Sequence, residues 1–283
     1  MKRAFAVGIG LNVLFVVIEA GYGLYAESLA LLADAGHNLS DVLSLILAWL
    51  AAWLAGLRPT ARRTYGLRRA TNLASLTSSF LLLMAIGGIA WEAIGRFGDP
   101  AKVDGSIVIV VAAVGVVING VTAWLFAAGR HHDLNIKAAF LHMAADAAVS
   151  LGVVAGGIAI IMAGWYWVDP AITLIIVVVI LVTTWGVFRD SLELAFDAVP
   201  GGIDPGAVRA YLCGLPGVDA IHDLHIWGMS TTETALTAHL VMPEGNDDAF
   251  LQLVSGELAD RFRIAHATIQ VERGDFEHGC DQL

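Results

Sequence analysis

Six long apolar stretches occupy the first two thirds of the chain, near residues 4–26, 30–57, 73–95, 104–129, 137–163 and 168–188. Each reaches the roughly 20 residues that an α-helix needs to cross the hydrocarbon core of a bilayer. From Pro200 the pattern changes: Gly201, Gly202 and Pro205 punctuate a boundary, and the hydrophobic runs shorten to soluble-domain length. Residues 204–213 and 247–262 have helical periodicity, 218–228 and 233–242 alternate like a strand pair, and 267–272 reads as a last strand. The expected fold is an all-α membrane domain of six helices over 1–196, followed by a small α+β domain of order αββαβ over 197–283.

Charge orients this plan. The loop between the second and third spans carries Arg58, Arg62, Arg63, Arg68 and Arg69, and the positive-inside rule makes it cytoplasmic. Arg130, Lys137, Lys2 and Arg3 fall on the same side, so both termini are expected there too. The start resembles a secretory signal, yet its apolar run contains Asn12 and Glu19 and continues too far, so it reads as a retained first span.

Composition agrees: 57% of residues are hydrophobic and 15% charged, far more apolar than a soluble average. The net charge of -10 belongs to the tail, because 1–196 hold 12 acidic and 12 basic residues whereas 197–283 hold 14 acidic and 4 basic. That acidity argues against a nucleic-acid partner, whose phosphates require a basic footprint. Two cysteines, Cys213 and Cys280, make no disulfide framework, so nothing demands an oxidising compartment.

The sharpest chemical feature is a repeat. His37 and Asp41 lie in the second span, His142 and Asp146 in the fifth, and the i to i+4 spacing puts each pair on one helix face. Ionisable groups at membrane depth are expensive and mark a pathway or a site. If the two helices pack, two imidazoles and two carboxylates converge into a tetrahedral set of donors that zinc accepts. The alternative is a pair of helix-stabilising contacts without metal. A divalent ion with two carboxylates is neutral, and so is the empty site once two protons replace it; the histidines also titrate near neutral pH, so one or two protons are both compatible. Asn12, Glu19 and Asn119 are candidates to line the same cavity, while Asp34, one turn before His37, is a candidate for the membrane surface.

Two segments, Ser28-Leu-Ala-Leu-Leu-Ala-Asp34-Ala-Gly36-His37-Asn38-Leu-Ser40-Asp41 and Leu134-Asn135-Ile-Lys-Ala-Ala-Phe-Leu-His142-Met-Ala-Ala-Asp146, resemble the cation diffusion facilitator family of metal-proton antiporters. The tail segments Asp223-Leu-His225-Ile-Trp227 and Ala267-Thr-Ile-Gln-Val-Glu272 look like that family's cytoplasmic domain. The resemblance runs over nearly the whole chain, and the paired His-x-x-x-Asp motifs are those of its zinc-preferring branch. It implies a homodimer with alternating access that exchanges Zn2+ for protons across a lipid bilayer, with His37, Asp41, His142 and Asp146 as the transport site. It also implies a ferredoxin-like, metallochaperone-like tail whose metal ligands would fall on His222, His239, Glu272 and His266. His225 reads as a structural signature rather than a ligand. The family usually has an acidic residue where Thr71 stands, so no charge interlock is expected through that position. Only His131 and His132 represent the histidine-rich loop of some eukaryotic relatives, which favours a bacterial inner membrane. His278 and Cys280 are further candidates for metal capture.

Three rivals remain. A proton-coupled exporter of organic cations would use the same carboxylates, but the imidazoles suit zinc-like ions better. An intramembrane metalloenzyme lacks a His-Glu-x-x-His and an obvious general base, and a metal sensor would have little use for six spans.

Overall fold

The computed structural model describes residues 2–127 and 134–274. Arg130, His131, His132, His278 and Cys280 lie outside the described residues, as does the side chain of Asn12. Six long helices come first: α1 (Lys2–Tyr25), α2 (Leu29–Ala55), α3 (Ala70–Gly95), α4 (Gly105–Ala127), α5 (Leu134–Ala163) and α6 (Val168–Ala195). Among the described residues five of them are long and apolar enough to cross a membrane, and Val13–Tyr25 forms a shorter apolar stretch of α1. The sixth helix runs seven residues past the expected 188, where an Arg189 to Glu193 ion pair of 2.9 Å continues the helix beyond its apolar part.

Packing divides the chain into two compact units, Met1–Ile46 with Ser78–Trp185 and Leu47–Thr77 with Gly186–Leu283. In the first, Leu31, Ile86, Val108, Val153, Ile176 and Ile180 form the buried core. Large apolar side chains also face outward, Trp91 and Met162 each 82% exposed. Only a hydrocarbon surround makes that arrangement favourable over so many positions.

Glycine sets the approach of α4 to α5. A Cβ on Gly105 would stand 2.7 Å from the Gly157 carbonyl oxygen, and one on Gly157 would stand 2.7 Å from Ile109 Cγ1. Small residues let backbones meet in this way where lipid offers no hydrophobic drive. The start of α2 is secured by α6: the Asp169 carboxylate accepts from Ser28 Oγ at 2.5 Å and from the Leu29 N–H at 2.8 Å. Those donors would otherwise be orphaned at a helix N-terminus in an apolar medium.

In the second unit the C-terminal chain forms α7 (Pro205–Cys213), β1 (Ala220–Gly228), β2 (Thr234–Val241), α8 (Asp248–Phe262) and β3 (Ile264–Glu272). Asp204 caps α7, accepting from the Gly206 N–H at 2.9 Å, with Pro205 in the first turn. Asp247 caps α8 in the same way through Phe250. Arg263 takes the left-handed conformation at the end of α8, so β3 begins at once, three residues before the expected 267. The sheet order is β1-β2-β3, with β1 antiparallel and β3 parallel to β2. Val208, Leu212, Val254 and Leu258 of the two helices pack with Ile221, Leu236 and Leu240 of the sheet.

Candidate metal centre

The helical spacing that puts His37 and Asp41 on one face of α2 and His142 and Asp146 on one face of α5 brings the two pairs together. His37 Nε2 lies 3.2 Å from Asp146 Oδ1, and His142 Nε2 lies 3.1 Å from Asp41 Oδ2. Within each helix the separations are 3.8 Å for His37 and Asp41 and 3.6 Å for His142 and Asp146. All four donor atoms lie within 4.8 Å of one another. A tetrahedral ion with bonds of about 2.0–2.1 Å needs donors about 3.3–3.4 Å apart, and the four separations bracket that value. The site is asymmetric: the Asp146 side chain is 4% exposed and that of His37 18%, against 38% for Asp41 and 44% for His142.

Buried polar groups surround the site. Glu19 on α1 is fully buried and accepts from Asn38 Nδ2 at 3.2 Å, coupling α1 to the residue next to His37. Asp34 is 1% exposed and accepts from Ser150 Oγ at 3.0 Å, so its side chain is enclosed by protein. Asn119 is buried as well. Ser150 and Asn38 were not singled out in the sequence, although Ser150 stands one turn beyond Asp146 on the donor face of α5, where a polar residue in an apolar helix is a signal.

A second group of donors lies in the C-terminal sheet. His222 and His239 are direct partners across β1 and β2, their ring centroids 4.9 Å apart. Glu272 at the end of β3 completes the group, with Oε2 at 3.0 Å from His222 Nε2 and Oε1 at 2.9 Å from His239 Nδ1. The bond from His222 holds the Glu272 carboxyl below the usual carboxylate range. A bulge in β1 between His222 and His225, with Asp223 at φ 54°, turns Asp223 so that its Oδ2 lies 3.6 Å from His239 Nε2. Asp223 was not among the expected donors, since the strand pattern does not announce the bulge. Its carboxyl is also held low, chiefly by the bond to His225 at 2.9 Å. His266 is not brought into this group: it is six residues from Glu272 along one strand, about 20 Å, and stands edge-on to the Tyr65 ring at 5.7 Å.

The arginine loop forms ion pairs without an acid at position 71. Arg68 meets Glu233 at 2.7 Å and Arg69 meets Asp197 at 2.5 Å, while Thr71 Oγ1 accepts the Thr231 N–H at 3.1 Å.

Apolar spanning helices that carry four converging metal donors, followed by a small domain with a second donor group, define a metal-handling membrane protein. The cation efflux transmembrane domain matches residues 5–194, and the cytoplasmic domain of cation efflux proteins matches residues 200–274. The metal cation efflux system protein CzcD of Cupriavidus metallidurans is 34% identical over 277 residues, covering 96% of this chain and 86% of the relative. The cadmium, cobalt and zinc/H(+)-K(+) antiporter of Bacillus subtilis is 34% identical over 270 residues, with 93% and 86% covered. Zinc transporter ZitB of Escherichia coli is 33% identical over 273 residues, with 95% and 87% covered. The chain belongs to the cation efflux family, a family of transporters, and is an integral multi-pass membrane protein whose class of activity is divalent metal efflux.

Proposed function

We propose that this chain exports zinc, or a closely similar divalent ion, in exchange for protons, as a homodimer working by alternating access. The observation that carries the reading is the convergence of four donor atoms from α2 and α5 at separations fit for one tetrahedral ion. The names of the E. coli and B. subtilis relatives, a zinc transporter and a cadmium, cobalt and zinc/H(+)-K(+) antiporter, support a zinc-like divalent ion and protons as exchanged species.

In this mechanism the ion first meets Asp41 and His142, the more exposed donors, and then closes against His37 and Asp146. Two carboxylates neutralise it, which allows the loaded site to stay buried while the helices rock. Protons arriving from the far side take the place of the ion, and the His–Asp cross pairs of 3.1 and 3.2 Å hold the emptied site together. Because donors must shed protons to bind metal, the proton gradient drives the cycle.

The domain division is 1–196 for transport and 197–283 for a cytoplasmic tail that binds metal through His222, His239 and Glu272 and tightens the dimer. The positive charge of the arginine loop supports a cytoplasmic position for both termini, and the sparse histidine of the loop at His131 and His132 supports a bacterial inner membrane.

Asp41→Ala and Asp146→Ala in reconstituted vesicles test the reading. Each is expected to abolish zinc flux driven by a pH gradient while the protein stays folded. Wild-type rates in either would end the proposal.

A further inference from the structure

The loop between α2 and α3 carries more positive charge than its ion pairs consume. Arg68 and Arg69 are taken up by Glu233 and Asp197. Among the described residues Arg62 and Arg63 have no acidic side chain within ion-pair reach. Both side chains line a cavity of about 1060 Å3 together with Arg68, Arg69, Asp197 and His225. Four guanidiniums against the carboxylates of Asp197 and Glu233 leave the cavity with a net charge of +2. The arginines come from the loop and face a tail of 14 acidic and 4 basic residues, so the charge is no part of a generally basic surface.

The rim of this charge is apolar and belongs to the membrane segments. The loop joins the end of α2 at Ala55 to the start of α3 at Ala70. Trp53 on the last turn of α2, Leu57 just beyond it and Leu73 on the first turn of α3 are all exposed, and Leu73 also lines the cavity. Tryptophan at such a position marks the level of lipid headgroups. A ligand that satisfies both halves has an anionic end for the two spare arginines and an apolar end for the exposed leucines. A free phosphate would use only the first half.

We propose that this cavity is a binding site for an anionic phospholipid, its phosphodiester held by Arg62 and Arg63 and its acyl chains lying over Leu57 and Leu73. Arginine suits the role because its planar fork binds two phosphate oxygens at once. Occupancy adds a lipid contact to the loop that carries the Arg68–Glu233 and Arg69–Asp197 pairs. The inference needs only that α2 and α3 span a membrane, so it stands or falls apart from the transport reading.

The test is lipid binding by the full chain in neutral detergent micelles, followed by native mass spectrometry, with phosphatidylglycerol and phosphatidylcholine as probes. Wild type is expected to hold phosphatidylglycerol selectively. Arg62→Gln with Arg63→Gln is expected to weaken it about thirty-fold, two arginines at about 1 kcal/mol each with tenfold per 1.4 kcal/mol. Arg58→Gln, an arginine outside the cavity lining, is expected to retain wild-type binding. The charge-keeping pair Arg62→Lys with Arg63→Lys is expected to bind between wild type and the glutamine variant, keeping the charge without the fork, which separates loss of the site from loss of folding. Equal binding of the two lipids, or no loss in the glutamine variant, would overturn the proposal. So would displacement of the lipid by inorganic phosphate at matched concentration, which would mark a free-phosphate site, or by raised protein concentration, which would mark the seat of a second copy.

Discussion

Replacing Asp146 by asparagine keeps the shape of the side chain and removes one charge, at the most buried of the four donors. On the proposed reading, two ionised carboxylates neutralise the bound divalent ion in wild type. In Asp146→Asn one unit of positive charge stays uncompensated, at a side chain 4% exposed. An uncompensated charge at membrane depth costs about 2.5–3.5 kcal/mol on insertion scales, which lowers metal affinity about sixty- to three-hundred-fold at a tenfold change per 1.4 kcal/mol. Asp41→Asn makes the same change where the side chain is 38% exposed, so solvent softens the penalty and the loss is smaller. The assay is zinc titration of the detergent-solubilised chain at fixed pH, with His239→Ala present in every sample so that only the membrane donors report. Proton release into weak buffer, measured in the same titration, should fall in both variants. A loss below about tenfold for Asp146→Asn, or a larger loss for Asp41→Asn, would refute the charge-neutralisation argument.

Further expectations concern selectivity, acid response and packing. His37→Asp exchanges an imidazole for an oxygen donor and should raise cadmium flux relative to zinc, so an unchanged ratio counts against imidazole as a selectivity element. The Glu272 carboxyl is held low by His222, so its contribution to tail stability is full above the usual carboxylate range and is lost as pH falls through the lowered value. His222→Ala should flatten that acid limb in metal-free thermal melts followed by tryptophan fluorescence, and an identical pH slope would contradict the assignment. Gly157→Ala drives a Cβ to 2.7 Å from Ile109 Cγ1 and should destabilise the α4–α5 contact by about 1–3 kcal/mol, read as a lower thermal midpoint. An unchanged midpoint would show that α4 and α5 do not pack so closely.

The donors were legible wherever one helix decides the geometry. His37 with Asp41 and His142 with Asp146 share a face because the α-helix repeats every 3.6 residues, and a polar group in an apolar span advertises itself. Their convergence was an inference, since periodicity says nothing about which helix lies beside which; small residues such as Gly105 and Gly157 decide such neighbours through contacts invisible one helix at a time. Asp34 illustrates the limit, because Ser150 on another helix draws it into the interior. In the tail the alternation of β1 and β2 was readable, whereas His222 and His239 came from the resemblance and their pairing across the strands from the structure. The bulge that swings Asp223 toward His239 was not, because a bulge keeps the strand's composition and alters only its register. His266 was carried by the same resemblance, and the length of β3 keeps it away from Glu272.

The central claim is that four side chains from two spanning helices hold the exported ion. Zinc K-edge X-ray absorption on the full chain carrying His222→Ala and His239→Ala, loaded with one equivalent of metal, addresses it directly. The account predicts two imidazole nitrogens and two carboxylate oxygens at about 2.0–2.2 Å, with one imidazole lost from the shell on adding His142→Ala. A shell of six oxygens, or one that His142→Ala leaves unaltered, would contradict it.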